Sequence, residues 1–245
     1  MSLNKKERYM GRPLRTRIDF AKTLSWYDFF HNQLIAFGKI KNDFGLAKLL
    51  CKDTEKSHES NLFKKYKFGL STPQQEWIDI IDSKCIGSSN IINHSIWKNL
   101  KYRTTEEKLI LSELNNLPNY IFENLIINGH IKDFNKSDLE KLAQYGSLDS
   151  LCALYLLHQW GYSIGSTSLV NDCCSFIINT LELLLKRHDY LERSHIFLFD
   201  EICDQIFIME LKGYNRPLKI KLNWRQYRDR QNSRSEERRV GKECL

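Results

Sequence analysis

The sequence predicts an all-α fold, on three observations. Glycine and proline are scarce, 11 and 4 residues in 245, which favours long helices over turn-rich β architecture. Apolar side chains recur at three- and four-residue steps through most of the chain, as helices with one buried stripe require. Cap and stop residues stand at the ends of these periodic stretches. With 42% of its residues hydrophobic, the chain has enough apolar surface for a substantial core. No fixed-period repeat is present, so the helices are expected to pack as an antiparallel bundle.

The elements follow in order. Phe20, Leu24, Tyr27, Phe30, Leu34 and Phe37 predict a helix from Asp19, its N-cap, to Phe37, with Gly38 as the stop. A short helix over Asp43 to Cys51 follows, then a polar loop through Ser60. Glu59 to Phe68 reads as a third helix, with Leu62, Phe63 and Tyr66 inward and Lys64, Lys65 and Lys67 outward. Thr72 and Pro73 predict the start of a fourth, Pro73 to Asp82, since proline suits the first helical position. After a turn at 85–89, a short helix carries Ile96, Trp97 and Leu100. Thr104 to Leu114 and Pro118 to Ile127 are the next two, the latter ended by Asn128-Gly129. Ser137-Asp138-Leu139-Glu140 opens a helix expected to reach His158 with a kink at Gly146. Ser166 to His188 and Ser194 to Gly213 complete the bundle. Arg216 to Tyr227 alternates apolar and basic residues, the pattern of an edge strand or extended basic segment.

Charge is distributed unevenly. Residues 1–22 hold Lys5, Lys6, Arg8, Arg12, Arg15, Arg17 and Lys22 against Glu7 and Asp19. Residues 216–233 hold Arg216, Lys219, Lys221, Arg225, Arg228 and Arg230 against Asp229, while 101–215 is net acidic. Basic ends around an acidic middle suit a polyanion at the ends and a protein partner in the middle; charged termini that are simply solvated would look the same. Cys51, Cys85, Cys152, Cys173, Cys174 and Cys203 lack metal-site spacing and read as small buried hydrophobes in a reducing compartment. The N-terminus lacks the apolar core of a signal peptide, and no stretch reads as apolar enough to span a membrane, so a cytoplasmic protein with no membrane partner is expected.

Several stretches resemble known families. Gly11-Arg12-Pro13, in a basic arm over residues 1–18, resembles the core of an AT-hook, with Met10 where that family has a basic residue. Leu46-Ala47, Gly69 and Pro73 resemble the Cro/C1-type helix-turn-helix, in which a Leu-Ala pair lies in the first motif helix and a proline follows the recognition helix's closing glycine by four residues. The approach to Gly69 is longer than in that family, and Tyr66 and Lys67 stand in its usually acidic region. The resemblance spans about residues 40–83. Lys65-Tyr66, Gly69, Pro73, Ile86-Gly87-Ser88-Ser89, His94 and Ile96-Trp97 together look like a poorly characterised bacterial family of basic-armed helical proteins. Arg234 to Cys244 resembles a translated sequencing-library adapter in frame throughout, so 234–245 is set apart as non-native. The expected organisation is therefore a basic flexible arm (1–18), a helix-turn-helix-like module (19–103), an acidic helical bundle (104–213) and a basic tail (214–233).

The resemblance implies that the third helix reads DNA. Ser57, His58, Ser60 and Asn61 near its N-terminus would reach base edges, and Lys64, Lys65 and Lys67 would hold phosphates, joined by Arg12, Arg15 and Arg17 of the arm. A solvated surface helix would carry the same lysines. No P-loop, Rossmann glycine run, nucleophile elbow or H-E-x-x-H is present, and no cofactor is implied. Asp200, Glu201 and Asp204 crowd one helix, but an acidic solvent face is the expectation there, not a metal site. The functional expectation is a non-enzymatic DNA-binding regulator or mobile-element accessory protein acting on double-stranded DNA, dimeric or partnered through its bundle. The alternative is a helical adaptor with no nucleic-acid role.

Overall fold

The computed structural model describes residues 15–51 and 60–213. Helix α1 (Arg17–Ala36) is the first element among the described residues. Its start is fixed by a capping box: the Asp19 N–H donates to Thr16 Oγ1 at 3.2 Å and the Thr16 N–H donates to Asp19 Oδ2 at 3.1 Å. Asp19 is thus the third residue of the box, and Thr16 is the cap. Thr16 and Lys101 hold the Asp19 carboxyl below its ordinary pKa although its burial acts the other way.

Helices α2 (Asp43–Cys51), α3 (Ser60–Lys67) and α4 (Gln75–Lys84) pack with α1 around an aromatic core. Trp26, Phe30, Tyr66 and Trp77 are fully enclosed there with Leu46 and Ile81. α4 begins two residues beyond the expected Pro73; Gln74 is its N-cap and Pro73 is buried in the approach. Past α4, Cys85 is buried with its thiol at 3.0 Å from Gln33 Oε1, and burial pushes that thiol up to about 11. Two one-to-two-turn helices follow, α5 (Ser88–Ile92) and α6 (Ser95–Lys101). The His94 Nδ1 accepts the Ile96 N–H at 3.1 Å, which leaves the ring hydrogen on Nε2 to meet Asp149 Oδ1 at 3.0 Å.

Beyond α7 (Glu107–Asn115) the expected helix from Pro118 to Ile127 is replaced by a single turn, α8 (Asn119–Phe122), and a hairpin. Strands β1 (Ile126–Ile127) and β2 (His130–Ile131) pair antiparallel, Ile126 opposite Ile131. Asn128 at φ 52° and Gly129 at φ 79° form the link, the geometry in which Asn-Gly reverses a chain between two antiparallel strands. The second correction falls at Gly146. There is no continuous helix to His158: α9 (Lys136–Gln144), itself opened by an Asn135–Asp138 capping box, ends, the chain turns, and Ser147 caps α10 (Leu148–Ser163) through a box with Ser150.

α10 is the central element, buried from Ser150 to Gly161 and packed against α6, α7, α8, α9 and α11. α11 (Thr167–Arg187), capped by Ser166, lies along α10 and α9. Contrary to expectation, α11 is by length and composition apolar enough to cross a bilayer: 21 residues with a mean hydropathy of 1.3 in its most apolar window. Half of that window is buried inside the fold, as expected of a core helix. A 3-10 turn (Asp189–Leu191) leads into α12 (His195–Gly213). The described residues up to Gln205 fall into one compact unit, and a second begins at Ile206. The expected AT-hook-like tripeptide, the loop holding Ser57 and His58, the alternating tail and the adapter-like end lie outside the described residues.

Candidate nucleic-acid interface

α3 is a short helix with two sharply different faces. Phe63 and Tyr66, one turn apart, are buried. The Tyr66 ring meets Trp26 edge-on at 5.6 Å, and Phe63 meets Trp77 at 5.0 Å. These contacts orient the helix, because rotating it would pull two large rings out of the core. The opposite face carries Asn61, Lys64, Lys65 and Phe68, at the i, i+3, i+4 and i+7 spacing of a single stripe, and all four are exposed. No acidic residue occurs between Ser60 and Gln75.

The end of α3 is firmly held. The Leu70 N–H donates to the Lys65 carbonyl at 2.8 Å and the Gly69 N–H to the Tyr66 carbonyl at 2.9 Å, the paired bonds of a Schellman cap. Gly69 sits at φ 65°, where side chains are strained, and a Cβ there would lie 2.8 Å from Phe20 Cδ1. The turn therefore rests flush against α1. Arg193 adds a bond from a distant part of the chain: its Nη1 donates to the Lys67 carbonyl at 2.7 Å. The same guanidinium forks onto Asp28 of α1, with Nε at 2.8 Å from Oδ2 and Nη2 paired to Oδ1. Burial pushes the Asp28 carboxyl up and Arg193 works against that shift. Beside this pair, the Ser25 and Ser194 hydroxyls meet at 2.8 Å inside the core.

The structure sorts the residues expected at the site. Asn61, Lys64 and Lys65 share the exposed face, while Lys67 is half-buried beside them. Ser60 begins α3, but its side chain lies outside the description, as do Arg12, Ser57 and His58 altogether. Arg15 is built into the start of α1 instead of extending from an arm: its Nη2 donates to the Asp19 carbonyl at 2.6 Å and to Thr23 Oγ1 at 2.8 Å, with the guanidinium over the Phe20 ring. Arg17 is exposed and paired with Asp204. One member of the acidic group on α12 therefore already has a cation, and Glu201 accepts from Gln205 at 2.9 Å.

Residues that matter for the site were also missed from the sequence. Phe68 closes the expected helix, and its one-turn spacing from Lys64 sets it on the outward stripe, where the structure leaves it exposed. Leu70 is exposed beyond the cap. Arg193, 126 residues from Lys67, gave no sequence signal.

Elsewhere, Asp149 in the first turn of α10 accepts from His94 and, at 2.7 Å, from the Tyr120 hydroxyl. Burial raises its pKa, but these two bonds outweigh it and the carboxyl lies below its ordinary value; burial and Asp149 push Tyr120 up to about 12. Nearby Cys152 is fully enclosed and its thiol pushed up to about 11, which leaves it protonated and inert at neutral pH. A cavity of about 420 Å³ opens between Leu125 and α9, lined by Lys132 and Lys141; Lys132 is paired with Asp138 at 3.4 Å and packed over Phe134. Among the described residues no group of three or more His, Cys, Asp or Glu side chains converges as a metal site. No family model, curated protein or solved structure matches the chain.

Proposed function

We propose that the protein binds double-stranded DNA through the outward face of α3 and acts without catalysis, as a regulator or mobile-element accessory protein. The observation that carries this reading is the stripe Asn61, Lys64 and Lys65, exposed on a helix whose opposite face is locked into the core. A polar amide beside two cations is the side-chain set that reaches base edges while holding phosphates. The Cro/C1-type resemblance through Leu46-Ala47, Gly69 and Pro73 points to the same helix, and Lys5, Lys6, Arg8 and Arg12 supply further phosphate contacts in this reading, Arg15 and Arg17 being already engaged.

Fluorescence anisotropy with a mixed-sequence duplex, titrated over a range of salt, tests it. Affinity is expected to fall steeply with salt, and Lys64→Ala with Lys65→Ala to lower the log–log slope by about 2. No binding at low salt removes the reading.

A helical adaptor role rests on a different observation, the exposed apolar side chains Leu109, Tyr120, Ile127 and Tyr145 in the acidic half. Capture of a partner that is lost in the Leu109→Ser, Ile127→Ser double variant would favour it, and equal capture by that variant would remove it.

A further inference from the structure

The tip of α3 carries two apolar side chains that the fold leaves uncovered. Phe68 is 51% exposed and Leu70 is 61% exposed, on either side of Gly69. They are not loose: Gly69 between them lies against Phe20 and Leu24, its N–H and that of Leu70 close the helix cap, and Arg193 holds the Lys67 carbonyl just before. The backbone that presents both side chains is therefore braced by α1 and by the segment before α12. The Phe68 N–H is bonded to the Lys64 carbonyl at 3.3 Å, which puts the ring one turn from Lys64 on the stripe that also carries Lys65 and Asn61. A ring and a branched aliphatic on a braced backbone, flanked by cations and free of acidic neighbours in sequence, complement an apolar surface enclosed by anionic charge. In duplex DNA that surface is the stacked face of a base pair, reached when a step opens between its phosphates.

We propose that Phe68 and Leu70 form a wedge that enters one base step of the bound duplex and partly unstacks it, while Lys64 and Lys65 hold the flanking phosphates. This rests on the DNA-binding reading above and adds a mode to it: the protein bends or opens its site, and prefers steps that unstack easily, such as pyrimidine–purine steps. Apolar wedge residues gain from leaving water only if the step opens, so the wedge makes affinity depend on how easily the duplex deforms.

The test uses the full chain and a duplex carrying 2-aminopurine at a central TA step. Binding is followed by anisotropy of an end label and unstacking by 2-aminopurine fluorescence. The wild-type protein is expected to bind and to raise the 2-aminopurine signal several-fold. Phe68→Ala and Leu70→Ala are each expected to lower that rise while keeping the salt slope, and Phe68→Trp to keep the rise. Because both side chains are exposed, circular dichroism of the alanine variants should match the wild type. Wild-type binding with a flat 2-aminopurine signal overturns the wedge and leaves DNA binding standing, as does an undiminished rise in both alanine variants. Absence of duplex binding by the wild type at low salt overturns the DNA reading itself, and the wedge with it.

Discussion

In α10 every residue from Ser150 to Gly161 is buried, including His158 and Gln159; in α3 Phe63 and Tyr66 are buried, while Asn61, Lys64 and Lys65 face solvent. The two helices show what position in the fold does to a polar side chain. In α10 a polar group must find an internal partner or remain neutral. Gln159 Oε1 accepts the Thr104 N–H at 3.2 Å, whereas neither ring nitrogen of His158 meets a hydrogen-bond partner among the described residues. In α3 the polar groups keep their water and remain available to a ligand. Substitution in α10 should therefore appear as stability, and substitution on the outer face of α3 as recognition.

The largest contrast is expected in acid. Burial, with Arg103 nearby, depresses the His158 pKa to about 3 from its ordinary 6.5. Below pH 6.5 the unfolded chain takes up a proton that the folded chain refuses, so stability falls with pH until His158 itself titrates near 3. The loss grows by about 1.4 kcal/mol per pH unit and reaches about 5 kcal/mol. His188 and His195 are also depressed, by burial first, and add to the same slope. Urea denaturation at pH 7 and pH 4 should show the drop, and His158→Leu should flatten it. An unchanged acid slope in that variant would place the proton uptake elsewhere.

Cavity formation comes next. Leu154→Ala in the middle of α10 should cost about 3 kcal/mol in thermal or chemical denaturation, because the enclosed site cannot collapse around the missing atoms. Its effect on duplex affinity, measured where the variant is still folded, should be small.

Arg193→Ala probes the brace that holds the end of α3 against α1. Arg193 is 38% exposed and its partner Asp28 only 12%, so solvent screening reduces the cost below that of a fully buried pair, to about 2 kcal/mol. Hydrogen exchange should localise the loss: the Gly69 and Leu70 amides are expected to exchange faster, and amides of α10 to change less. Uniform acceleration in both would mean that Arg193 supports the whole fold and not the α3 end in particular.

The smallest stability effect is expected for Lys64→Ala, within about 0.5 kcal/mol, because the side chain lies on an exposed helix face. A loss comparable to that of Leu154→Ala would mean the lysine is structural and would remove the contrast.

The long periodic helices were legible in the sequence. α2 lies where its apolar residues put it, and α11 within a residue of each expected end, because Ser166 and the stretch it caps are local signals. The break between α9 and α10 was harder to read. Gly146 looked like a kink inside one apolar run, and the Ser147–Ser150 box that restarts the helix is a weak pattern beside strong periodicity. The hairpin at Asn128-Gly129 looks like a helix stop in sequence, because strands of two residues each are too short to show a period. At the candidate site, the outward placement of Lys64 and Lys65 followed from their spacing to Phe63 and Tyr66. The engagement of Arg15 with Thr23 and of Arg17 with Asp204 did not, since a basic run near a terminus looks the same whether its cations are solvated or paired.

By itself, then, the sequence determined that the protein is helical and that α3 presents Lys64 and Lys65 outward, since helical period and capping are local properties of the chain; it also put Phe37 on the inward stripe of α1, where the structure leaves it exposed past the helix end. Only the tertiary structure decided which cations are already taken, that α10 is enclosed on all sides, and that Gly69 and Arg193 together clamp the end of α3 against α1. Those features join residues such as Asp28 and Arg193, 165 positions apart, and a pairing over that separation comes from packing, which no local pattern encodes.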